Sequence, residues 1–487
     1  MSYSVSEIQE ALWQVTDSIP ISAEYEAPTL STFFTPPSHI RALRLHTPLV
    51  VGARGVGKTF WAQALQKEDV RSLLGQAAPD LRGIHVTIGH GAISCEEYPS
   101  PSTFASLLSG HDAVSIWRTV LLKACVSAAG LEPGADMPHS GAEWKTLVPW
   151  VADNPERVDR IFLDADRTFA RQGMSLLIVF DALDRVASSW KDIDELTTGL
   201  LRTALQFSTF SHIKTKIFLR EDHCSRISFS FPDASKLFAS KVELSWTRAE
   251  LYGMLWKRLC NGEGDAGRCL RGLFAEQLPN SLEEQGGVCF FRNTGELTDD
   301  VLKTLFHRLT GPYMGRDRRR GMPYTWTVGH LADARQQTSP RSFMAAIARA
   351  CQDSHDKKYA GMNYPIHYES IKSGVQIASQ IRVAEMQEDN PWATDLLKKL
   401  KGMNVPCPFQ SVQDRWQEAY AEGPSALVRM HPSQTPPEFE SAGWAEVRRQ
   451  LESLGFCLTL SDGRFNMPDL YRVGFGLGRK GGVKPLS

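Results

Sequence analysis

The chain has 487 residues, enough for about three domains. Hydrophobic residues make up 42% of it and charged residues 22%, which excludes a disordered or fibrous chain and is typical of a globular protein. The 54 basic residues nearly cancel the 55 acidic ones, so bulk charge gives no argument for nucleic acid or an acidic membrane as the partner.

The first 46 residues predict a lead-in to the first large domain. Apolar residues recur there with the spacing of one helix face, at Val5, Ile8, Leu12 and Val15. Prolines from Pro20 to Pro37 then interrupt regular structure, and a second short helix is expected around 39–44.

A complete phosphate-binding loop follows a short apolar strand at 49–51. The pattern G-x-x-x-x-G-K-[ST] is matched in turn by Gly52, Ala53, Arg54, Gly55, Val56, Gly57, Lys58 and Thr59, and Phe60 continues into a helix. The glycines let successive backbone N–H groups surround a β-phosphate, while the helix presents its positive end to it. Lys58 is expected to reach the β- and γ-oxygens and Thr59 to offer its hydroxyl to Mg²⁺. We therefore predict that residues 52–60 bind a nucleoside triphosphate.

Strands and helices alternate after this loop. Strands are predicted at 83–88, 174–180 and 214–219, with helices at 113–126, 164–171 and 192–207 between them. The run at 174–180 carries no charge, as expected for a central parallel strand that is covered on both faces. This order predicts an α/β fold with a doubly wound parallel sheet. Ligands in that class bind beyond the carboxyl ends of the strands, where Gly52, Asp181 and Arg220 fall.

Two aspartates follow the uncharged strand. Asp181 is predicted to hold the Mg²⁺ shell, the alternative being a solvated carboxylate at a strand end. For Asp184 two roles are equally expected. It either polarises the attacking water or forms a salt bridge with Arg185.

Two arginines are candidate sensors of the γ-phosphate. Arg220 ends a strand, and its alternative role is an ion pair with Glu221 or Asp222. Arg341 lies in the first turn of a helix that opens with Ser339 as N-cap, and its alternative is an ordinary surface arginine.

The second half of the chain is predicted to be mostly helical. Residues 247–355 are expected to form helices separated by glycine-rich loops near 262–267 and 311–323, and residues 356–400 a helical connector. The final segment, 444–467, has the order helix, strand, Asp-Gly turn and strand, which is typical of a winged-helix module.

Two basic segments have no assigned role. One is the loop 316–320, with the sequence Arg-Asp-Arg-Arg-Arg, and the other holds Arg479, Lys480 and Lys484. Charge runs are usually solvated, and the open alternatives are an acidic partner, nucleic acid or the phosphate of a neighbouring subunit.

The N-terminal residues 1–7 lack the basic region and apolar core of a secretory signal, and no stretch reaches the ~18 apolar residues of a membrane span. The nine cysteines contain no C-x-x-C pair, which indicates reduced thiols. We expect a cytoplasmic protein with no membrane partner. No N-K-x-D motif is present, so ATP is favoured over GTP.

Together these motifs resemble the STAND and AAA+-type ATPases of bacteria, and the Asp-x-x-Asp step is similar to that of the NACHT and KAP groups. The resemblance covers about 47–355. It implies ATP and Mg²⁺ as cofactors, with Lys58 and Thr59 on the nucleotide, Asp181 on the metal, Asp184 as the second acid, and Arg220 and Arg341 as catalytic sensors. Many relatives carry Glu directly after the metal-binding Asp, whereas this chain has Ala182, which implies slow hydrolysis.

The expected architecture is a lead-in at 1–46, a P-loop NTPase core at 47–240, a helical lid at 241–355, and a connector with a winged-helix-like domain at 356–487. The expected function is an ATP-hydrolysing switch that couples nucleotide state to an effector or sensor protein and self-associates, as in the many bacterial relatives that act in antiviral defence. The alternatives are a DNA-associated ATPase that uses the tail, with DNA the less favoured partner, and an ATP-binding scaffold with negligible turnover.

Overall fold

The structure is a computed structural model, and it describes residues 3–19, 26–132, 137–139, 141–227, 231–432 and 437–485. The chain divides into two compact units. We call Thr35–Ser245 the core unit, and Met1–Phe34 together with Trp246–Ser487 the helical unit. The predicted lead-in is therefore divided between the units, and the segments predicted as lid and tail lie in the same one.

The core unit is built on a five-stranded parallel sheet with the order β2-β3-β4-β1-β5. Its strands are β1 (Leu49–Gly52), β2 (Ile84–His90), β3 (Ser175–Phe180), β4 (Ile213–Arg220) and β5 (Val242–Leu244). The register pairs Gly52 with Arg220 on β4, so the phosphate-binding strand and the strand of the candidate sensor end side by side.

Helices of the core unit connect these strands. They are α2 (Ile40–Leu43), α3 (Lys58–Gln66), α4 (Glu68–Ala77), α5 (Pro101–Leu108), α6 (Ala113–Ala129), α7 (Trp144–Asp153), α8 (Pro155–Gln172), α9 (Trp190–Phe207), α10 (Glu221–Arg226) and α11 (Ala234–Ala239). The helix predicted at 164–171 already begins at Pro155, because proline fits the first helical turn without losing a hydrogen bond.

Both faces of β3 are buried, as the uncharged sequence predicts. Leu176, Ile178 and Phe180 belong to one hydrophobic cluster together with residues of α6, α8 and α9. Leu177 and Val179 point to the opposite face and are equally inaccessible. This confirms the doubly wound α/β fold.

A buried lysine on β4 fixes the approach to the phosphate-binding strand. Lys216 is fully buried, and its Nζ donates to the carbonyl oxygens of Ala42 (2.9 Å), Arg44 (2.8 Å) and Thr47 (2.7 Å). Lys216 thereby donates to one carbonyl oxygen of α2 and to two in the turn between α2 and β1, although nothing in the sequence singles this lysine out.

We expect Lys216→Met to lower the free energy of unfolding by about 2–4 kcal/mol, because it leaves buried carbonyl oxygens without their donor. The measurement is urea unfolding of the full chain, with Lys191→Met on the exposed surface of α9 as the control. Equal midpoints for the two variants would show that the three carbonyl oxygens find other donors.

The helical unit contains the remaining helices. They are α1 (Val5–Asp17), α12 (Arg248–Cys260), α13 (Gly264–Gln277), α14 (Asp299–Thr310), α15 (Pro323–Leu331), α16 (Pro340–Lys357), α17 (Tyr368–Asp389), α18 (Pro391–Lys398), α19 (Phe409–Ala419), α20 (Ser425–Met430), α21 (Trp444–Ser453) and α22 (Asp469–Arg472). Thr247 and Glu250 form the predicted capping box of α12, and Ser339 caps α16 as predicted. Residue Pro20 of the predicted proline-rich interruption lies outside the described residues.

Two predictions about this unit are wrong. A β-hairpin of β6 (Leu282–Gln285) and β7 (Val288–Phe291) interrupts the segment predicted as helices and loops. Its turn is Gly286-Gly287, with φ of 58° and 76°, and two consecutive left-handed glycines favour a tight hairpin. The predicted loop at 262–267 is also shorter than expected, because α13 already begins at Gly264.

The tail has a winged-helix-like topology. After α21, strands β8 (Leu458–Thr459) and β9 (Phe465–Asn466) pair antiparallel across the predicted Asp-Gly turn. Cys407, which precedes α19, and Phe465 on β9 exchange backbone hydrogen bonds of 3.0 and 2.8 Å. The backbone at Cys407 thus pairs with one strand of the hairpin. The module therefore begins earlier in the chain than the segment 444–467 that predicted it. Within the described ranges, no helix combines the length and apolar character needed to span a membrane.

Candidate nucleotide-binding site

The phosphate-binding loop joins β1 to α3 in the core unit. Gly55 and Gly57 adopt left-handed backbone conformations, with φ of 78° and 106°, which only glycine adopts without strain. Gly57 is the N-cap of α3 and has no side chain to bind the first helical N–H groups. The first amides of α3 and the positive end of its dipole are therefore suited to an anion.

Lys58 is bound to the loop itself. Its Nζ donates to the carbonyl oxygens of Gly52 and Ala53, both at 2.9 Å. Burial, followed by the nearby charge of Arg220, lowers the pKa of Lys58 to about 8, and the carboxylates of the site oppose this shift. A bound phosphate would restore the charged form, because it adds negative charge next to the ammonium group.

Thr59 and Asp181 meet at the carboxyl end of β3. Asp181 is 3% exposed, and its carboxylate accepts a hydrogen bond from the Thr59 side chain. Burial raises the pKa of Asp181, while Thr59 and then Lys58 oppose the rise. A buried carboxylate with a neighbouring hydroxyl suits Mg²⁺, whose preferred ligands are oxygens. In the described part of the chain, no group of three or more His, Cys, Asp or Glu side chains is placed to hold a metal ion. The Asp181 carboxylate and the Thr59 hydroxyl are the groups that would hold a Mg²⁺ ion bound together with the phosphates.

Arg220 lies between two carboxylates. Its Nε and Nη2 donate to the two oxygens of Asp222, at 3.0 and 2.7 Å, and its Nη1 lies 3.4 Å from Asp184 Oδ2. Burial raises the pKa of Asp222, but the charge and hydrogen bonds of Arg220, together with the charges of Arg226 and Lys58, outweigh burial and hold that pKa well below its ordinary value. Of the two ion pairs that the sequence left open for Arg220, with Glu221 or with Asp222, the structure contains the one with Asp222. It also places Arg220 near Lys58.

A strained turn separates the two aspartates of the Asp-x-x-Asp step. Ala182 has φ of 55° and ψ of 38°, a left-handed conformation that is uncommon for residues with a Cβ. The turn leads into a short 3₁₀ helix at Leu183–Arg185, so Asp184 is turned towards Arg220 while Asp181 stays at the strand end. Strain of this kind is concentrated at functional sites.

His90 is a site residue that the sequence did not indicate. Its Nδ1 donates to the Asp181 carbonyl oxygen at 2.7 Å, and the Asp181 amide donates to the His90 carbonyl oxygen at 2.9 Å. Burial lowers the pKa of His90, so the ring is neutral near pH 7. In the sequence, His90 is only a histidine just after a predicted strand. Its contact with Asp181 could be predicted only by knowing that β2 is the neighbour of β3.

The structure brings together five of the predicted residues, namely Lys58, Thr59, Asp181, Asp184 and Arg220. Arg54 lies within the loop and Phe60 directly follows it, and both are half-buried. Arg341 belongs to the helical unit, where it is mostly buried and donates to Glu385 Oε1. The catalytic and binding roles of these residues remain predictions.

Known proteins similar to this chain are found among solved structures only. No family model matches the chain, and no curated protein matches its sequence. Among solved structures, the chain is similar to a Walker-type ATPase of Pyrococcus abyssi, with 10% identity, a TM-score of 0.42, and coverage of 94% of this chain and 98% of that one. It is also similar to the ORC2 protein of Aeropyrum pernix, with 12% identity, a TM-score of 0.37, and coverage of 94% and 93%. A third match is the ORC1 protein of the same organism in complex with DNA, with 13% identity, a TM-score of 0.34, and coverage of 94% and 93%.

Because these similarities are distant, the function of this chain rests on its own residues. The sheet order, the glycine-rich loop before α3 and the adjacent Asp181 are those of a P-loop NTPase fold.

Proposed function

We propose that this protein is a Mg²⁺-dependent ATPase that works as a slow nucleotide switch and couples its nucleotide state to a partner protein. The observation that carries the proposal is the cluster of Lys58, Thr59 and Asp181 at adjoining strand ends, on a loop with the correct left-handed glycines. Lys58 would exchange the loop carbonyl oxygens for the β- and γ-oxygens of the nucleotide, and Asp181 and the Thr59 hydroxyl would hold the metal ion. Mg²⁺ supplies neutralisation of the phosphate charge.

The residues around Arg220 support slow turnover. Arg220 has to exchange part of its pairing with Asp222 and Asp184 before it stabilises charge on a γ-phosphate. We assign to Asp184 the role of polarising the attacking water, because Ala182 directly follows Asp181 where many relatives of the resembled family carry Glu. The test is hydrolysis of ATP by the purified full chain, in which turnover that depends on both Lys58 and Mg²⁺ supports the proposal.

Arg341 is proposed to sense the γ-phosphate by exchanging Glu385 for nucleotide. Glu385 also binds Arg382 Nη1 at 3.0 Å, so it retains a cationic partner when Arg341 leaves. We expect Arg341→Ala to weaken ATP binding about tenfold, the loss of one charge-assisted hydrogen bond, and Glu385→Gln to strengthen it. The measurement is the affinity for a fluorescent ATP analogue and for the same ADP analogue.

Arg349→Ala is the matched control, because Arg349 lies on the same helix, is 36% exposed in its side chain and pairs only weakly with Asp353 at 3.8 Å. An Arg341→Ala variant that behaves like this control, with unchanged preference for ATP over ADP, would refute the sensor role.

We further propose, from the family resemblance, that the partner is an effector or sensor protein, that the chain self-associates, and that it acts in the bacterial cytoplasm in antiviral defence. The test is protection against phage by the native gene neighbourhood, compared with the same DNA carrying Lys58→Ala. Equal plating on both strains would reject the defence role and leave the ATPase proposal standing.

A further inference from the structure

One cavity of the helical unit is lined by a residue of the second basic segment and by the residue that directly follows the first. The cavity has a volume of about 350 Å³, within the ~300–1,000 Å³ range of small-molecule sites. Gly321, which follows the basic loop 316–320, lines one side of it, and Arg479 of the tail lines another. Residues more than a hundred positions apart in the chain thus share a single pocket.

The basic loop has a defined conformation. Met314 N donates to Gly321 O at 2.8 Å and closes the base of the loop. The Asp317 side chain accepts from the Arg319 amide at 2.9 Å and caps a short 3₁₀ helix at Arg318–Arg320. The guanidinium groups of this loop are exposed, on Arg316, Arg318, Arg319 and Arg320. A closed loop that presents several exposed arginines beside a pocket is suited to phosphate groups.

The interior of the pocket has a different chemistry. Asp469 is 4% exposed, and its Oδ1 accepts from Arg472 Nε at 2.8 Å and from Arg479 Nη1 at 3.0 Å. Its Oδ2 is buried and has no hydrogen-bond partner among the described residues. A buried acceptor without a donor costs free energy, which a ligand with an N–H group recovers.

A second acceptor faces the same point. His330 Nδ1 lies 2.8 Å from the Trp326 carbonyl oxygen, and because a carbonyl oxygen only accepts, this nitrogen carries the proton. Burial lowers the pKa of His330, although Asp469 opposes the shift, so Nε2 of the neutral ring is an acceptor near pH 7. Nε2 lies 3.6 Å from Asp469 Oδ2. Two acceptors that converge in this way are both satisfied by an amino group, which carries two N–H bonds.

The pocket also offers an aromatic surface. The Trp326 and His330 rings stack with a centroid separation of 3.8 Å and an interplanar angle of 21°. Gly321 lies against the edge of the Trp326 indole. A Cβ added at Gly321 would lie 3.3 Å from Trp326 Cδ1. A flat ring bearing an amino group therefore meets both a stacking partner and the paired acceptors.

We propose that this cavity and the adjoining basic loop form a nucleotide-binding site separate from the phosphate-binding loop. An amino-bearing base enters the pocket and donates to Asp469 and His330, and its phosphates bind the exposed arginines. The same chemistry is offered by a free mononucleotide and by a nucleotide of a single strand, and the experiment distinguishes these sources. Exposed Tyr313 near the basic loop, at 37%, gives a longer strand a second stacking position.

The test uses the full chain carrying Lys58→Ala, so that binding at the phosphate-binding loop is removed and the two proposals fail independently. The probes are fluorescently labelled oligo(dA) and oligo(dT) of equal length, with free dAMP as a competitor. We expect oligo(dA) to bind about tenfold more tightly than oligo(dT), which lacks the amino group. Competition by dAMP identifies a mononucleotide site, and binding of oligo(dA) without competition identifies a strand site.

Two variants separate the contributions. The triple substitution Arg318→Ala, Arg319→Ala and Arg320→Ala is expected to reduce affinity for both strands and to lower the salt slope by about 2. Its control removes three exposed arginines of the same unit, Arg268, Arg292 and Arg449. His330→Phe keeps an aromatic ring on Trp326 and is expected to abolish the preference for oligo(dA) without changing the salt slope.

The proposal is overturned if neither probe binds, if oligo(dA) and oligo(dT) bind equally, or if the control triple variant loses as much affinity as the loop variant.

Discussion

Lys58→Ala is expected to weaken ATP binding by roughly 100-fold or more and to abolish turnover. In the structure the Lys58 ammonium group already lies against the loop, donating to the carbonyl oxygens of Gly52 and Ala53. On nucleotide binding these donors turn to phosphate oxygens, and each charge-assisted hydrogen bond contributes about 1.5–3 kcal/mol. Losing two of them accounts for the expected effect, since about 1.4 kcal/mol corresponds to a tenfold change. The measurement is the fluorescence of a labelled ATP analogue titrated with the protein.

Two further variants make this result interpretable. Lys58→Met retains the alkyl stem of the side chain and removes only the charge, so it tests whether lost packing accounts for the effect. Lys191→Ala removes a lysine from the exposed surface of α9 in the same unit and should leave ATP affinity unchanged. If Lys58→Met binds ATP as the unaltered chain does, the charge of Lys58 does not act on phosphate.

Asp181→Asn should lose the contribution of Mg²⁺ to ATP binding and reduce hydrolysis by roughly 100- to 1,000-fold. Asn retains the size of the side chain and an oxygen that accepts from Thr59, so the strand end is preserved and only the charge disappears. Because Asp181 is 3% exposed, no solvent charge replaces it. The readout is ATP affinity with Mg²⁺ and with a chelator, followed by single-turnover hydrolysis.

Asp184→Asn provides the comparison, since Asp184 is more exposed and contacts Arg220. It should slow hydrolysis while leaving the Mg²⁺ dependence of binding intact, because its proposed role is in the chemical step. Should Asp184→Asn lose the Mg²⁺ dependence while Asp181→Asn keeps it, the assignment of the metal to Asp181 would be wrong.

Much of the core unit follows from local sequence pattern. The strands at Leu49 and Ser175 are short apolar runs whose ends are marked by functional residues, and residues 52–59 form a contiguous motif. These features are enough to predict Lys58, Thr59 and Asp181 as site residues, because each depends on residues close in the chain and on the rule that parallel strands end on one edge.

Other features depend on which strands become neighbours. His90 contacts Asp181 only because β2 pairs with β3, and Lys216 reaches the turn before β1 only because β4 pairs with β1. Strand order is a long-range property that periodicity does not encode. For the same reason the two separate charge runs did not indicate that Gly321, next to the loop 316–320, and Arg479 line one pocket.

The hairpin of β6 and β7 was missed for a local reason. Its strands are four residues each, and β6 carries Glu283 and Glu284, which are not residues that favour strands. The Gly-Gly turn determines its conformation, and cross-strand pairing of Leu282 with Phe291 completes it.

Calorimetric titration of the full chain with ATP, in the presence of Mg²⁺ and then of a chelator, tests the central claim most directly. The claim is that residues 52–59 bind a nucleoside triphosphate whose metal is held from Asp181. We expect one binding site per chain and an affinity at least about tenfold higher with Mg²⁺, as the loss of one metal-mediated contact implies. Absence of binding heat, or an affinity that is the same with and without Mg²⁺, would contradict the claim.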